Sequence, residues 1–245
     1  ELGNLTELTW LDFAYNQLSG SIPESIFGLT NLGVLNLSGN QINGSIPEVI
    51  GNLINLRTLA LSSNQLSGNI PSTITSLVNL SDGAFPSMDY TSIGQNMLQS
   101  DDPAVIAFLD EKQADWANTQ TIAPDNLLTS EVTENTILVS WTPIIYTESG
   151  GYYEIGYSTN PGGPYTIAGQ TVDKFTDSLL VTGLTPDTLY YFVVRTFTPA
   201  YANNQNVLTS IWSDETFAIT RSQVISTETP VTVSPTTETP STDIP

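Results

Sequence analysis

One phrase is written three times at a fixed interval. NQLSGSIPE begins at Asn16, NQINGSIPE at Asn40 and NQLSGNIPS at Asn64, a period of 24 residues. Leu11, Leu35 and Leu59 stand in the same register, as do Phe13, Leu37 and Leu61, and Leu18, Ile42 and Leu66. Gly20, Gly44 and Gly68 follow, then Ile22, Ile46 and Ile70, then Pro23, Pro47 and Pro71. A unit this short cannot bury its own leucines, so successive units must stack into a solenoid. Leu-x-Leu alternation gives each unit one short strand with both leucines inward. The Asn sits where the chain leaves the strand, and its amide can serve backbone groups in its own turn and the neighbouring coil. The Gly permits a bend that a Cβ would hinder, and Ile-Pro supplies an apolar plug with a fixed φ.

The unit L-x-x-L-x-L-x-x-N-x-L-x-G-x-I-P resembles the leucine-rich repeat. Its S-G-x-I-P segment is similar to the plant-type subclass, which also occurs in bacteria. The resemblance covers Leu2 to Leu80 and implies an α/β solenoid whose concave, strand-built face carries the ligand. The candidate ligand-binding residues on that face are Trp10, Asp12, Tyr15, Val34, Asn36 and Thr58. Trp10, Asp12 and Tyr15 have the chemistry of binding, since Trp and Tyr are favoured interface anchors. The alternative is plain surface, with Trp10 covered by an upstream repeat. The opening ELGNLTEL reads as the second half of such a repeat, so the chain is expected to be a piece of a longer array.

After Leu80 the register fails. LSDGAFPSMDYTSIGQNML reads as one degenerate turn in which Phe85, Met88 and Tyr90 replace leucines. Asn96 and Leu98 echo N-x-L, with about three residues inserted before the Asn. Next, Asp102 suits an N-cap and Pro103 the first helical position. A helix over Pro103–Lys112, with Trp116 on its end, is expected to cap the array at about residue 120. Asp101, Asp102, Asp110, Glu111 and Asp115 lack the alternating spacing of a calcium loop, so they read as capping and solvated charge.

From Pro124 the period becomes two. Ile137, Val139 and Trp141 alternate, as do Tyr153, Ile155 and Tyr157, then Leu179 and Val181, then Tyr190, Phe192 and Val194, then Phe217 and Ile219. Short alternating strands separated by TESGG, TNPGGP and TPD imply an antiparallel sandwich. LTPDTLY at Leu184–Tyr190 is similar to the L-x-P-x-T-x-Y of fibronectin type III domains, and VSW and GYYEIGYS fall in that family's order. The resemblance spans Ala123–Arg221 of a region 121–221. It implies an all-β, immunoglobulin-like sandwich with Trp141, Tyr153, Ile155, Leu184, Tyr190, Phe192 and Val194 in the core, and a tyrosine corner at Tyr190. Integrin-binding members carry Arg-Gly-Asp in the loop that here reads PAYANNQNVL, so that activity is not implied. Tyr201, with the Asn/Gln cluster of this loop, is a further candidate for protein or sugar contact; the other reading is a plain loop.

Residues 222–245 place Pro230, Pro235, Pro240 and Pro245 among Thr, Ser and Glu. Such a composition cannot bury a core and is expected to be a disordered, extended spacer.

The chain has 25 acidic and 5 basic residues, net −20. That charge repels phosphate backbones and anionic lipid, so nucleic acid is not a partner. With no Cys and no His, disulfides, thiolate and imidazole metal sites and Ser–His pairs are excluded. No apolar run reaches the ~18 residues of a membrane span, so no direct membrane insertion is expected. No catalytic residue, cofactor or metal is expected either. Glu1 is not followed by a leader, so any signal peptide lies outside this chain. The lack of cysteine caps favours an exported bacterial protein over an animal adhesion molecule or a plant receptor. The expected function is non-catalytic recognition of a protein or glycan by a secreted or cell-surface protein. The alternatives are a passive spacer for a catalytic domain elsewhere and a receptor ectodomain.

Overall fold

The structure, a computed structural model, describes residues 2–83 and 89–223. The repeats stack into a solenoid. Its concave face is a parallel sheet of β1 (Trp10–Asp12), β3 (Val34–Asn36), β5 (Thr58–Ala60) and β7 (Thr91–Ser92), in that order. Between these strands lie β2 (Ser19–Gly20), β4 (Gln41–Gly44), β6 (Gln65–Asn69) and β8 (Met97–Gln99), which build a second parallel sheet. This second sheet was not evident from the Leu-x-Leu pattern. Gly20, Gly44 and Gly68 close its strands at φ of +83°, +78° and +85°, a region that a side chain disfavours. The convex side consists of 3-10 turns at Glu24–Gly28, Glu48–Asn52 and Ser72–Ser76, each entered from an extended Pro and each burying an Ile.

The repeated Asn holds adjacent coils together. Asn64 Nδ2 donates to Leu37 O (2.9 Å) and Leu61 O (3.1 Å), while its Oδ1 accepts from Ile42 N (3.0 Å). Asn40 and Asn96 repeat this pattern one coil to either side. The amides thus satisfy buried backbone groups that a 24-residue coil cannot pair within itself.

The degenerate turn differs from the expectation. Thirty-two residues separate Asn64 from Asn96, so the insertion is eight residues, not about three. The strand register pairs Leu59 with Thr91 and Ala60 with Ser92. Thr91 and Ile93 therefore fill the leucine positions, and Tyr90 lies on the concave face. Phe85 and Met88 lie outside the described residues. From Asn96 the period of 24 resumes and lands on Gln120. Gln120 accepts from Leu98 N (3.0 Å) and donates to Ile93 O (3.0 Å), which makes it the last rung of the ladder.

Helix α1 (Pro103–Lys112) covers the end of the core. Asp102 accepts from Ala104 N at 2.9 Å, and Val105, Leu109 and Trp116 are buried against the leucines. Trp116 Nε1 donates to Asp110 (3.0 Å).

The second domain packs the sheet β13 (Ser178–Thr182), β10 (Thr136–Thr142), β9 (Asp125–Ser130) on a sheet of β12 (Thr166–Gln170), β11 (Tyr152–Ser158), β14 (Leu189–Thr198) and β15 (Leu208–Thr209). β16 (Thr216–Ile219) also pairs with β14. Trp141, Tyr153, Ile155, Leu184, Tyr190, Phe192 and Val194 are all in its core. The Tyr190 hydroxyl accepts from Thr185 N at 3.0 Å and closes the tyrosine corner. β16 alternates as expected. Phe217 and Ile219 point outward, at 64% and 58% exposure, while Ala218 packs on the core.

The β14–β15 loop reaches the solenoid. Asn206 Nδ2 donates to Asn40 O (2.7 Å) and Ser63 O (3.3 Å), and its Oδ1 accepts from Gln65 (2.9 Å). Asn204 donates to Gln95 O (2.9 Å), and Ser63 Oγ donates to Asn203 O (2.7 Å). Thr121 and Thr198, both buried, share a hydroxyl bond of 2.8 Å beside it. The loop binds the strand exits of three successive coils, leaving the strand entries open. Nearly all of the Thr/Pro tail lies outside the described residues. No described helix is long and apolar enough to cross a membrane.

Candidate ligand-binding face

The register fixes which side chains share the concave face. Trp10, Val34, Thr58 and Tyr90 line up across it, and Asp12, Asn36, Ala60 and Ser92 form the next row. Val34, Thr58 and Ala60 are buried and make the floor. Trp10 stands 62% exposed on the first strand and Tyr90 40% exposed on the last. With strands ~4.8 Å apart, their backbones lie about 14 Å from each other.

Polar contacts order this face. Asn36 Nδ2 donates to Asp12 Oδ2 at 3.2 Å, tying β1 to β3. Thr58 Oγ1 donates to Asp89 (3.2 Å) and accepts from Tyr90 N (3.3 Å). Arg57 pairs with Asp89 at 3.5 Å from a largely exposed position. An exposed pair of this kind contributes little to stability, so its consequence is to hold the guanidinium at the rim. Burial pushes the Tyr90 phenol up from its ordinary range, and the Tyr15 and Asp12 charges add to the shift.

Tyr15 takes the left-handed position before the first ladder Asn, at φ +53° and 86% exposure. Its ring lies across Gly39, where an added Cβ would come within 2.6 Å of it. Beside Trp10, a cleft of about 450 Å³ runs along the strand entries, lined by Val34, Arg57, Asn31, Asn55 and Asn79. Each of these Asn residues donates to a carbonyl of the preceding coil, so they belong to the scaffold.

The structure thus gathers Trp10, Asp12, Tyr15, Val34, Asn36 and Thr58 on or beside one face, with Val34 and Thr58 as floor. It separates Tyr201 from them. Tyr201 is half-buried, its hydroxyl accepts from Tyr146 (2.7 Å), and it sits in the loop that joins the domains. Burial, then the Tyr146 contact, raises its pKa. Sequence reasoning missed Tyr90, Asp89 and Arg57. The Asn96 rung, counted back six residues as Asn64 is from Thr58, was the signal that could have found Tyr90.

A larger cleft, about 1080 Å³, lies between the α1 cap and the sandwich. Its carboxylates have local duties: Asp110 holds Trp116, Asp115 accepts from Asn118, and Glu215 accepts from Tyr165 and Gly162. Among the described residues no cluster of three groups could hold a metal ion.

A solenoid of Asn-laddered parallel coils joined to an eight-stranded, two-sheet sandwich defines a two-module scaffold. Family models agree: the leucine rich repeat matches residues 2–42 and 55–77, and the fibronectin type III domain matches 122–209. The chain is a leucine-rich-repeat array joined to a fibronectin type III domain. No curated protein matches it.

Similar solved structures include the leucine-rich-repeat ectodomain of the membrane receptor kinase GASSHO1/SCHENGEN3 from Arabidopsis thaliana, in complex with Casparian strip integrity factor 2. It is 38% identical over 46% of this chain and 12% of its own, with a TM-score of 0.40. The plant peptide hormone receptor RGFR1, in complex with RGF2, is 42% identical over 39% and 14%, at 0.35. The Arabidopsis receptor kinase HAESA, with the peptide hormone IDA and the co-receptor SERK1, is 34% identical over 49% and 19%, at 0.38. The chain spans less than a fifth of each of these proteins.

Proposed function

We propose that this chain is a non-catalytic recognition module of a secreted or cell-surface protein, and that its concave face binds a protein ligand. Both module types are binding domains. The observation that carries the reading is Trp10 and Tyr90, two exposed aromatic rings that the core does not need, facing a common floor from opposite ends of one sheet. Trp, Tyr and Arg are the residues most enriched at binding hot spots, and Arg57 stands at the rim of this same face. Asp12 and Asn36 supply acceptors and donors that fix orientation.

The test is a screen of the intact chain against arrayed extracellular proteins, repeated with Trp10→Ala/Tyr90→Ala. A hit weakened at least tenfold by the double substitution supports the reading. Hits indifferent to both residues would move the site elsewhere, and an array without any hit would favour a passive spacer.

A further inference from the structure

The two carboxylates that order the concave face differ in one respect. Asp89 is matched by Arg57 at 3.5 Å. Asp12 is exposed, and its oxygens accept from Ala14 N (2.9 Å) and Asn36 Nδ2 (3.2 Å), both neutral donors. Among the described residues no Lys or Arg pairs with it.

Exposed rings stand around this unmatched charge. Trp10 lies two residues before Asp12 on β1, and the exposed–buried–exposed pattern of the strand turns both side chains to the same side. Tyr15 is set by the left-handed turn that follows, whose start the Ala14–Asp12 bond braces. Tyr90 stands on the far strand of the sheet, and besides burial the Tyr15 and Asp12 charges act on its phenol, so both are within electrostatic reach of it. Coils pair edge to edge in the plane of this sheet, so a neighbouring coil leaves side chains perpendicular to it uncovered.

We infer, building on the concave-face reading above, that Asp12 with its flanking rings is the seat for one cationic side chain, Arg or Lys, of the protein ligand. A ligand that covers this face takes Asp12 out of water. An apolar or neutral covering would leave a buried carboxylate without a counter-charge, which is strongly unfavourable, and an acidic one would add repulsion. A cation removes that cost, and the faces of Trp and Tyr attract it as well. Arg suits the seat better than Lys, because its flat guanidinium can stack on a ring while donating to a carboxylate. Both Asp12 oxygens keep lone pairs for such donors. Arg57 does not fill the seat: it precedes β5, two strands from Asp12, and is already matched by Asp89. The net charge of −20 steers a basic partner toward the chain.

The experiment pans a random dodecapeptide phage library on the intact chain. Binders that are lost on Trp10→Ala/Tyr90→Ala are synthesised and measured by isothermal titration calorimetry. The expected result is that each carries an Arg or Lys whose replacement, by citrulline or norleucine, weakens binding at least tenfold. Asp12→Asn, which keeps the shape of the side chain, weakens the parent peptides equally and the uncharged peptides hardly at all, with an unchanged melting curve. The peptide arm needs no change in the protein, so it decides the matter whatever Asp12→Asn does to folding. Binders that need Trp10 and Tyr90 yet tolerate loss of their cation overturn this inference and leave the concave-face reading standing. A library in which no binder depends on Trp10 and Tyr90 overturns both.

Discussion

The two domains use aromatic residues in opposite ways. The solenoid core is aliphatic, with Phe27 and Trp116 its only aromatic members among the described residues, Trp116 at the closed end. The sandwich core is built around Trp141, Tyr153, Tyr190 and Phe192, with Trp141 and Tyr153 edge to face at 5.3 Å. Stacked coils of equal length must fill equal slices, and Leu and Ile do this repeatedly, whereas a large ring fits only an irregular slice. A ring in a leucine-repeat register is thereby pushed to the face, as Trp10, Tyr15 and Tyr90 are. In a sandwich, a ring can serve either side of a strand. Exposure of an aromatic residue is consequently a stronger functional signal in the first domain than in the second.

The largest effect that would sharpen this contrast lies in the ladder. Asn64→Ala leaves the Ile42 N–H without its partner and removes one of two bonds from each of the Leu37 and Leu61 carbonyls, which keep Asn40 and Asn96. At about 1–3 kcal/mol for the unsatisfied N–H and about 0.5–1.5 kcal/mol for each lost bond, a loss of roughly 3 kcal/mol is expected in the solenoid. Urea titration followed by far-UV circular dichroism checks it.

The sandwich should instead show a pH signature. Lys174 is 1% exposed, donates to Glu148 O and Thr198 Oγ1 at 3.2 Å each, and lies 4.4 Å from the Tyr146 ring. Burial lowers its pKa to about 8. Between that value and the ~10.4 of an unfolded lysine, the unfolded chain holds a proton that the folded chain has released, so stability rises with pH. Above ~10, unfolded tyrosines ionise first. Tyr153 and Tyr165, pushed up to about 12 by burial, and Tyr201, raised likewise, then make stability fall. The melting temperature of the sandwich should therefore peak near pH 10, and Lys174→Met should flatten the rise from pH 8. A steady decline from pH 8 upward would show that Lys174 stays charged when folded.

Asn206→Ala removes the bonds to Asn40, Ser63 and Gln65 and should cost about 2 kcal/mol of coupling between the domains. Calorimetry would then resolve two transitions where the wild type shows coupled unfolding. Smaller still, Tyr190→Phe removes only the bond from Thr185 N and should lower sandwich stability by about 1 kcal/mol without altering the solenoid. Trp10→Ala and Tyr90→Ala should change stability by less than ~0.5 kcal/mol, as expected of face residues away from the core.

The solenoid and the sandwich were both legible because each repeats a local rule. A period of 24 forces stacked coils, and alternation with LTPDTLY forces a sandwich with a corner. The parts that escaped were long-range. Tyr90 was hidden by an eight-residue insertion, which shifted a face residue into an apparent core position. Gln120 completes an Asn ladder with a longer side chain, so the motif concealed it. The attachment of Asn204 and Asn206 to the solenoid joins residues more than 100 positions apart, and their sequence context matches that of any polar loop. The outward sense of Phe217 and Ile219 depends on pairing with β14, which alternation alone leaves open.

The most direct test of the central claim is hydrogen–deuterium exchange on the chain with the strongest binder from the extracellular screen. The account predicts added protection over Trp10–Asp12, Val34–Asn36 and the segment from Asp89 to Ser92, with the sandwich unchanged. Protection confined to the sandwich, or to the convex 3-10 turns, would contradict the assignment of the concave face.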